Sequence, residues 1–226
     1  MRITQAQVDS TLDVTALRGE RPLSNASCAR PLSVRQRDDL VMTSFAPTLT
    51  TRSVSVPAEF FGALRESAAR HDETVIALRD AGYAAGVALY DSFGQWLDER
   101  GEASAEDLME DRFGEVMAEF LTITGWGALQ VVTLSDAVVA LDAYDWAEVT
   151  ARNGASPMCH AGTGLLAGFF GCVAEAPLAV LEVECQSMGH ERCRFLIGSV
   201  DVLQYVYEAM ERGVPYDRAA NSAATG

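Results

Sequence analysis

Three cysteines and a glutamate toward the end of the chain, Cys159, Glu182, Cys185 and Cys193, are of the residue types that hold a transition metal. Zinc prefers thiolate sulfur and imidazole nitrogen, accepts carboxylate oxygen, and in structural sites takes four donors in a tetrahedron. In the stretch LEVECQSMGHERCRFLIG (181–198), an apolar run ends with Glu182, Glu184 and Cys185, turns around Gly189 and resumes at Cys193. A hairpin there would gather three donors, with Cys159 arriving from the start of the preceding helix. Glu182 interrupts a strand that should be buried, and a buried carboxylate is costly unless paired or metal-bound. A plainer reading fits the same residues: Cys185 and Cys193 as small core side chains, Glu182 facing solvent. No C-x-x-C pair is present to decide between them.

Strand alternation sets a condition on the metal reading. Glu182 and Cys185 fall on opposite faces, so both can ligate only if the strand ends or bulges near Glu184. Glu184, His160 and His190 are substitute ligands, although the two histidines fit better as surface residues or as partners orienting a ligand. Cys172 fits the core. Three thiolates and a carboxylate would leave no open position for water, which favours a structural or conformational role over catalysis.

Other chemistries fit less well. The run GTGLLAG (162–168) has its last glycine one place late for a dinucleotide loop and no strand before it. The chain has 17 arginines and no lysine, so it can form neither a P-loop lysine contact nor a Schiff base. The zinc-deaminase signature and a nucleophile elbow are also missing.

The elements that must position the four donors follow from periodicity. Pro57 opens a helix with Phe60, Phe61 and Leu64 at helical spacing. A longer helix is predicted over residues 72 to 100, with Val75, Leu78, Gly82, Gly86, Leu89, Phe93 and Leu97 on one stripe. Its two glycines point to close approach of another helix or of a ligand. Ser104 and Asp107 announce a third helix that carries Met109, Phe113, Val116 and Phe120 inward. Residues 125–134 and 137–144 read as strands of a hairpin, 145–152 as a short helix, and 159–174 as a glycine-laden helix. Residues 178–185 and 193–198 then read as strands and 200–212 as a terminal helix. The fold class is α+β: N-terminal helices and an antiparallel four-stranded sheet with helices packed on it, its last hairpin stapled by zinc.

At 226 residues and 49% hydrophobic content the chain can build one large domain. Residues 1–55 read as a partly ordered arm offering a dimer contact, 56–212 as the ligand-binding domain, and 213–226 as a flexible tail. Residues 1–56 hold seven arginines and five acids, whereas the remainder holds ten arginines and 27 acids. A net charge of −15 argues against direct binding of nucleic acid or an anionic membrane. Neither a secretory start nor a spanning segment is present, which predicts a cytoplasmic protein with reduced thiols.

The glycine-rich helix GTGLLAGFFG, then LEVEC, then MGHERCRFLIG, with the helix ALRDAGYAAGVALYDSF (77–93), resembles the 4-vinyl-reductase domain family over residues 57 to 212. That family takes its name from a bacteriochlorophyll-biosynthesis protein and includes the sensor domains of phenol- and xylene-responsive sigma-54 activators. The resemblance implies a zinc ion on Cys159, Glu182, Cys185 and Cys193. It also implies a fold related to TRAPP trafficking subunits and heme nitric-oxide domains, commonly dimeric. The activators' ATPase module and helix-turn-helix have no counterpart here, and His71 is the only histidine ahead of the metal segment, so phenol specificity does not carry over.

Taken together, the sequence predicts a zinc-binding, non-catalytic sensor that takes a small apolar or aromatic ligand and signals through a homodimer or a protein partner. Gly86, Phe93, Phe113, Trp126 and Phe169 are the candidate ligand-binding residues, and Gly82, Gly86 and Gly168 would leave room in an apolar pocket. The alternatives are a ligand-free adaptor like the TRAPP subunits, and an accessory protein or enzyme of tetrapyrrole metabolism.

Overall fold

The computed structural model describes residues 54, 56–68, 70–149 and 156–223. Nearly all of the expected N-terminal arm lies outside the described residues. Helix α1 (Glu59–Ala68) is followed by α2 (Asp72–Arg100) and α3 (Glu110–Ile123). Strands β1 (Ala128–Ser135) and β2 (Val138–Tyr144) form a hairpin through the predicted turn, and α4 (His160–Val173) leads into a second hairpin, β3 (Leu178–Glu184) and β4 (Cys193–Ser199). Helices α5 (Val200–Glu211) and α6 (Tyr216–Ala223) complete the described fold.

The two hairpins join through β2 and β4 into one antiparallel sheet of order β1-β2-β4-β3. Both faces of this sheet are covered, which is why its inner strands read as nearly continuous apolar runs. Along β4, Phe195 and Ile197 enter a core with Phe93 and Leu97 of α2, Phe120 of α3 and Phe169 of α4. Leu196 points the other way, to Leu203 and Val206 of α5 and Ala219 and Ala220 of α6.

Helix α2 runs 29 residues without a break and ends at Gly101, whose positive φ of 67° lets its N–H reach the carbonyl of Asp98. Its glycines mesh with those of α4. A Cβ at Gly82 would lie 2.1 Å from the Ala161 carbonyl oxygen, and one at Gly86 would lie 2.0 Å from that of Leu165. The reciprocal positions are as tight: Gly164 faces the Arg79 carbonyl at 2.1 Å and Gly168 that of Tyr83 at 2.3 Å. The sequence predicted that Gly82, Gly86 and Gly168 would leave room for a ligand. Beside each of them the backbone of the facing helix takes up that space.

Three further expectations differ from the structure. Ser104 pairs with the Asp107 side chain in an isolated turn, the chain extends at Met109, and α3 starts only at Glu110. Met109 is therefore 79% exposed instead of inward. Residues 145–149 form turns and not a helix, because Asp145 takes a left-handed φ of 53° that breaks away from β2. The expected flexible tail contains α6 instead. Gly213, at φ 85°, ends α5, Pro215 restarts the chain, and the small faces of Ala219 and Ala220 bury against the sheet. So weakly apolar a segment gave no strong periodic signal.

Candidate metal centre

Cys159 immediately precedes α4 as its N-cap residue, and its side chain makes no capping bond. Glu182 lies on β3 opposite Phe195, on the face that packs against α4. The β3–β4 register slips between Glu182 and Glu184, and Cys185 leaves the strand to open a 3-10 turn, Gln186–Met188. Gly189, at φ 89°, closes that turn. The sequence set a bulge or strand end near Glu184 as the condition for Glu182 and Cys185 to meet. Both occur here.

The three sulfurs form a nearly equilateral triangle. Cys159 Sγ lies 3.8 Å from Cys185 Sγ and 3.8 Å from Cys193 Sγ, and the last two are 3.9 Å apart. All three cysteines are free and buried, and one oxygen of Glu182 completes a group whose donor atoms lie within 4.8 Å of one another. Around a tetrahedral ion with metal–sulfur bonds of about 2.3 Å, the sulfur–sulfur edge is about 3.8 Å. A disulfide would need about 2.05 Å.

Glu182 is only 8% exposed. Its Oε2 accepts the Cys159 backbone N–H at 3.0 Å, while Oε1 is buried with no hydrogen-bond partner. An orphaned buried oxygen beside three thiols is what a cation would satisfy. Burial pushes the Cys159 thiol and the Glu182 carboxyl up, whereas hydrogen bonds from Cys159, Cys193 and Ser187 pull Cys185 down. One thiolate thus draws on the protons of its neighbours, and a divalent cation could replace those protons. The donor set fits zinc, which would be held in a closed tetrahedral shell; three sulfurs do not suit calcium or magnesium.

The substitute ligands lie elsewhere. His190 supports the turn, its Nδ1 accepting the Cys185 N–H at 3.0 Å. His160 opens α4 outside the group, and burial, aided by the Arg79 charge, lowers its pKa to about 4. Glu184 faces away from the sulfurs, paired with Arg192 at 3.1 Å and accepting a hydrogen bond from the Tyr216 hydroxyl. Cys172 is buried further along α4, outside the group, and is disulfide-bonded, unlike the reduced core residue the sequence suggested.

One residue beside the site had no sequence signal. The buried carboxylate of Glu148 accepts the N–H of Ala161 at 3.0 Å, that of Gly162 at 2.6 Å and the indole N–H of Trp146 at 3.3 Å. Burial raises its pKa to about 7 against the downward pull of those bonds. Its segment read as a surface helix, so nothing in the pattern marked it as buried.

The candidate ligand-binding residues are spread through the first core. Phe93 and Phe169 are fully buried, and the Phe93 ring lies between 5.2 and 6.1 Å from the rings of Trp96, Phe113, Phe120 and Phe169. Trp126 packs on Trp146 at 5.3 Å, and Gly86 meets α4 backbone. A cleft of about 540 Å³ beside the last hairpin, lined by Glu184, His190, Arg192 and Tyr216 among others, includes none of the five.

Residues 142–199 match the 4-vinyl-reductase (V-4-R) domain. That segment contains all four donors of the metal centre and agrees with the resemblance carried by LEVEC and MGHERCRFLIG. No curated protein matches the chain. Among solved structures, the fold that carries this 4-vinyl-reductase domain is similar to the phenol-responsive sensory domain of the transcription activator PoxR with phenol. That likeness has 17% identity over 72% of this chain and 83% of that one, at a TM-score of 0.48. A trafficking protein particle complex subunit 3 from Naegleria fowleri, covalently bound to palmitic acid, is 15% identical over 62% of this chain and 91% of that one, at a TM-score of 0.47. A vinyl-4-reductase family protein from Methanocaldococcus jannaschii is 14% identical over 64% and 82%, at a TM-score of 0.41. Among the described residues, no helix is long and apolar enough to cross a membrane.

Proposed function

We propose that this chain is a zinc-stapled regulatory domain that binds a small apolar or aromatic molecule and passes its occupancy to a dimer or partner surface without catalysing a reaction. The observation that carries the reading is the buried group of three thiols and a carboxylate, spaced for a tetrahedral ion, inside the segment that matches the 4-vinyl-reductase domain. Zinc bound there would fasten the β3–β4 hairpin to the start of α4. That helix runs from Cys159 to Phe169, so it connects the metal centre with the aromatic interior that would take the ligand.

A second reading, a ligand-free adaptor, is favoured by the mutual ring contacts of Phe93, Phe113, Phe120 and Phe169, which fill that interior with side chains. Native mass spectrometry of the freshly purified full chain separates the two. A dimer with one zinc per chain and additional organic mass is the expected result. A metal-free species without added mass would sink the proposal, return the cysteines to the core and leave the adaptor.

A further inference from the structure

The first N–H groups of an α-helix have no partner within the helix, and the usual remedy is a Ser, Thr, Asp or Asn side chain at the N-cap. The N-cap of α4 is Cys159, whose sulfur points into the donor group and makes no capping bond. One side chain cannot serve both purposes. The exposed donors of this turn are taken up from outside by two carboxylates: Glu182 Oε2 accepts from Cys159, and the two oxygens of Glu148 accept from Ala161 and Gly162.

The two glutamates divide the work. Glu182 keeps Oε1 free of hydrogen bonds, whereas both oxygens of Glu148 are bound to the backbone. The surroundings of Glu148 are shaped for a carboxylate. Trp146 supplies a third donor, and a Cβ at Gly162 would sit 2.5 Å from Glu148 Oε2 and 2.7 Å from Trp146 Nε1, so this position needs a residue without a side chain. Negative charge at a helix N-terminus is also favoured by the helix dipole.

We infer that Glu148 is the positioning residue of the metal centre: it holds the first turn of α4 in place of an N-cap side chain and thereby keeps Cys159 in the coordination tetrahedron. This inference rests on the zinc reading above. Metal-orienting partners one step removed from the ligands typically contribute 10- to 100-fold in affinity. Glu148→Gln keeps the shape but turns an NH2 group toward a backbone N–H, so one bond is replaced by a repulsive contact.

The test is a Co2+ titration of the reduced, metal-stripped full chain, followed by absorption spectroscopy. Wild type should show the bands of a tetrahedral site and sulfur-to-cobalt charge transfer from three thiolates. Glu148→Gln should bind Co2+ at least about tenfold more weakly, and lose about a third of the charge-transfer intensity as one of three thiolates drops out. Glu148→Asp, which keeps the charge but is too short to span both N–H groups, should fall between the two. It also serves as the test if the glutamine variant fails to fold. A merely structural cap would lower stability while leaving the spectrum of the loaded protein unchanged. Wild-type affinity and intensity in the variants would overturn the role of Glu148 alone, whereas a wild type without thiolate-bound Co2+ would overturn the metal reading and this inference with it.

Discussion

Replacing Gly86 with alanine should destabilise the protein, although alanine is the better helix former by about 1 kcal/mol. The added Cβ would lie 2.0 Å from the Leu165 carbonyl oxygen, 2.8 Å from its carbon and 2.9 Å from the Phe169 nitrogen. All three are backbone atoms of α4, so no rotamer change relieves the clash, and the helices must part by roughly 1 Å to regain ordinary contact. A gap of that size forfeits about a quarter to a half of each dispersion well along the seam. The seam includes Leu89, Phe93, Leu165 and Phe169, each contributing about 2–3 kcal/mol by burial. The loss exceeds the propensity gain and leaves a net destabilisation of about 2–4 kcal/mol. For a domain of this size that lowers Tm by about 5–15 °C. Gly94 lies on the same helix with nothing within 4 Å of its hypothetical Cβ. Gly94→Ala should therefore stabilise by about 0.5–1 kcal/mol. Urea denaturation of the two variants at saturating zinc, followed by far-ultraviolet circular dichroism, measures both. A Gly86→Ala protein as stable as wild type would refute the close-packed seam.

Cys185→Ser removes one donor and should take bound zinc from one per chain to near none by elemental analysis. It should also lower Tm by several degrees and make it insensitive to chelator, since a ligand at about 100 times its Kd contributes about 2.7 kcal/mol; an unchanged Tm would remove the staple. Arg194 holds buried Asp142 through two bonds of 2.5 and 2.6 Å across β2 and β4. Arg194→Met leaves that carboxylate to Arg192 alone and should cost about 2–4 kcal/mol in urea titration, discounted from a fully buried pair because the guanidinium is partly solvated. Burial, then the hydrogen bond to Glu184, raises the pKa of the Tyr216 phenol above 10.0. A raised folded-state value means that its stabilising contribution is complete below pH 10 and is lost as pH rises through the folded value. Ultraviolet titration near 295 nm should show one late-ionising tyrosine in wild type that is absent from Tyr216→Phe.

The long α2 was legible end to end because its apolar stripe continues unbroken from Val75 to Leu97 and Gly101 stops it. The two hairpins were legible from short turns between β-rich runs, and the metal centre from residue type and spacing, with the strand problem at Glu184 stated before its solution was visible. What escaped was set by contacts between distant segments. Glu148 is buried because the N–H groups of α4 require it, 13 residues further along the chain. Gly86 permits a close approach, but its position alone does not say whether a helix or a ligand fills the space. Helix α6 buries only small side chains and is anchored by Tyr216 through Arg194 and Glu184, partners that no local pattern can name.

The meshed backbones of α2 and α4 also make a lever. With carbonyl groups of each helix seated against glycines of the other, the pair has no clearance to slide, so α4 can shift only by carrying α2 along. Cys159 sits at one end of this pair, and α2, at about 1.5 Å per residue, extends roughly 43 Å. A small displacement at the sulfur triangle would be magnified at the distal end of that rod, where Arg100 pairs with Glu119 of α3. Motion started at the metal would thus arrive on the opposite side of the molecule as a rigid swing, with no soft element along the way to absorb it.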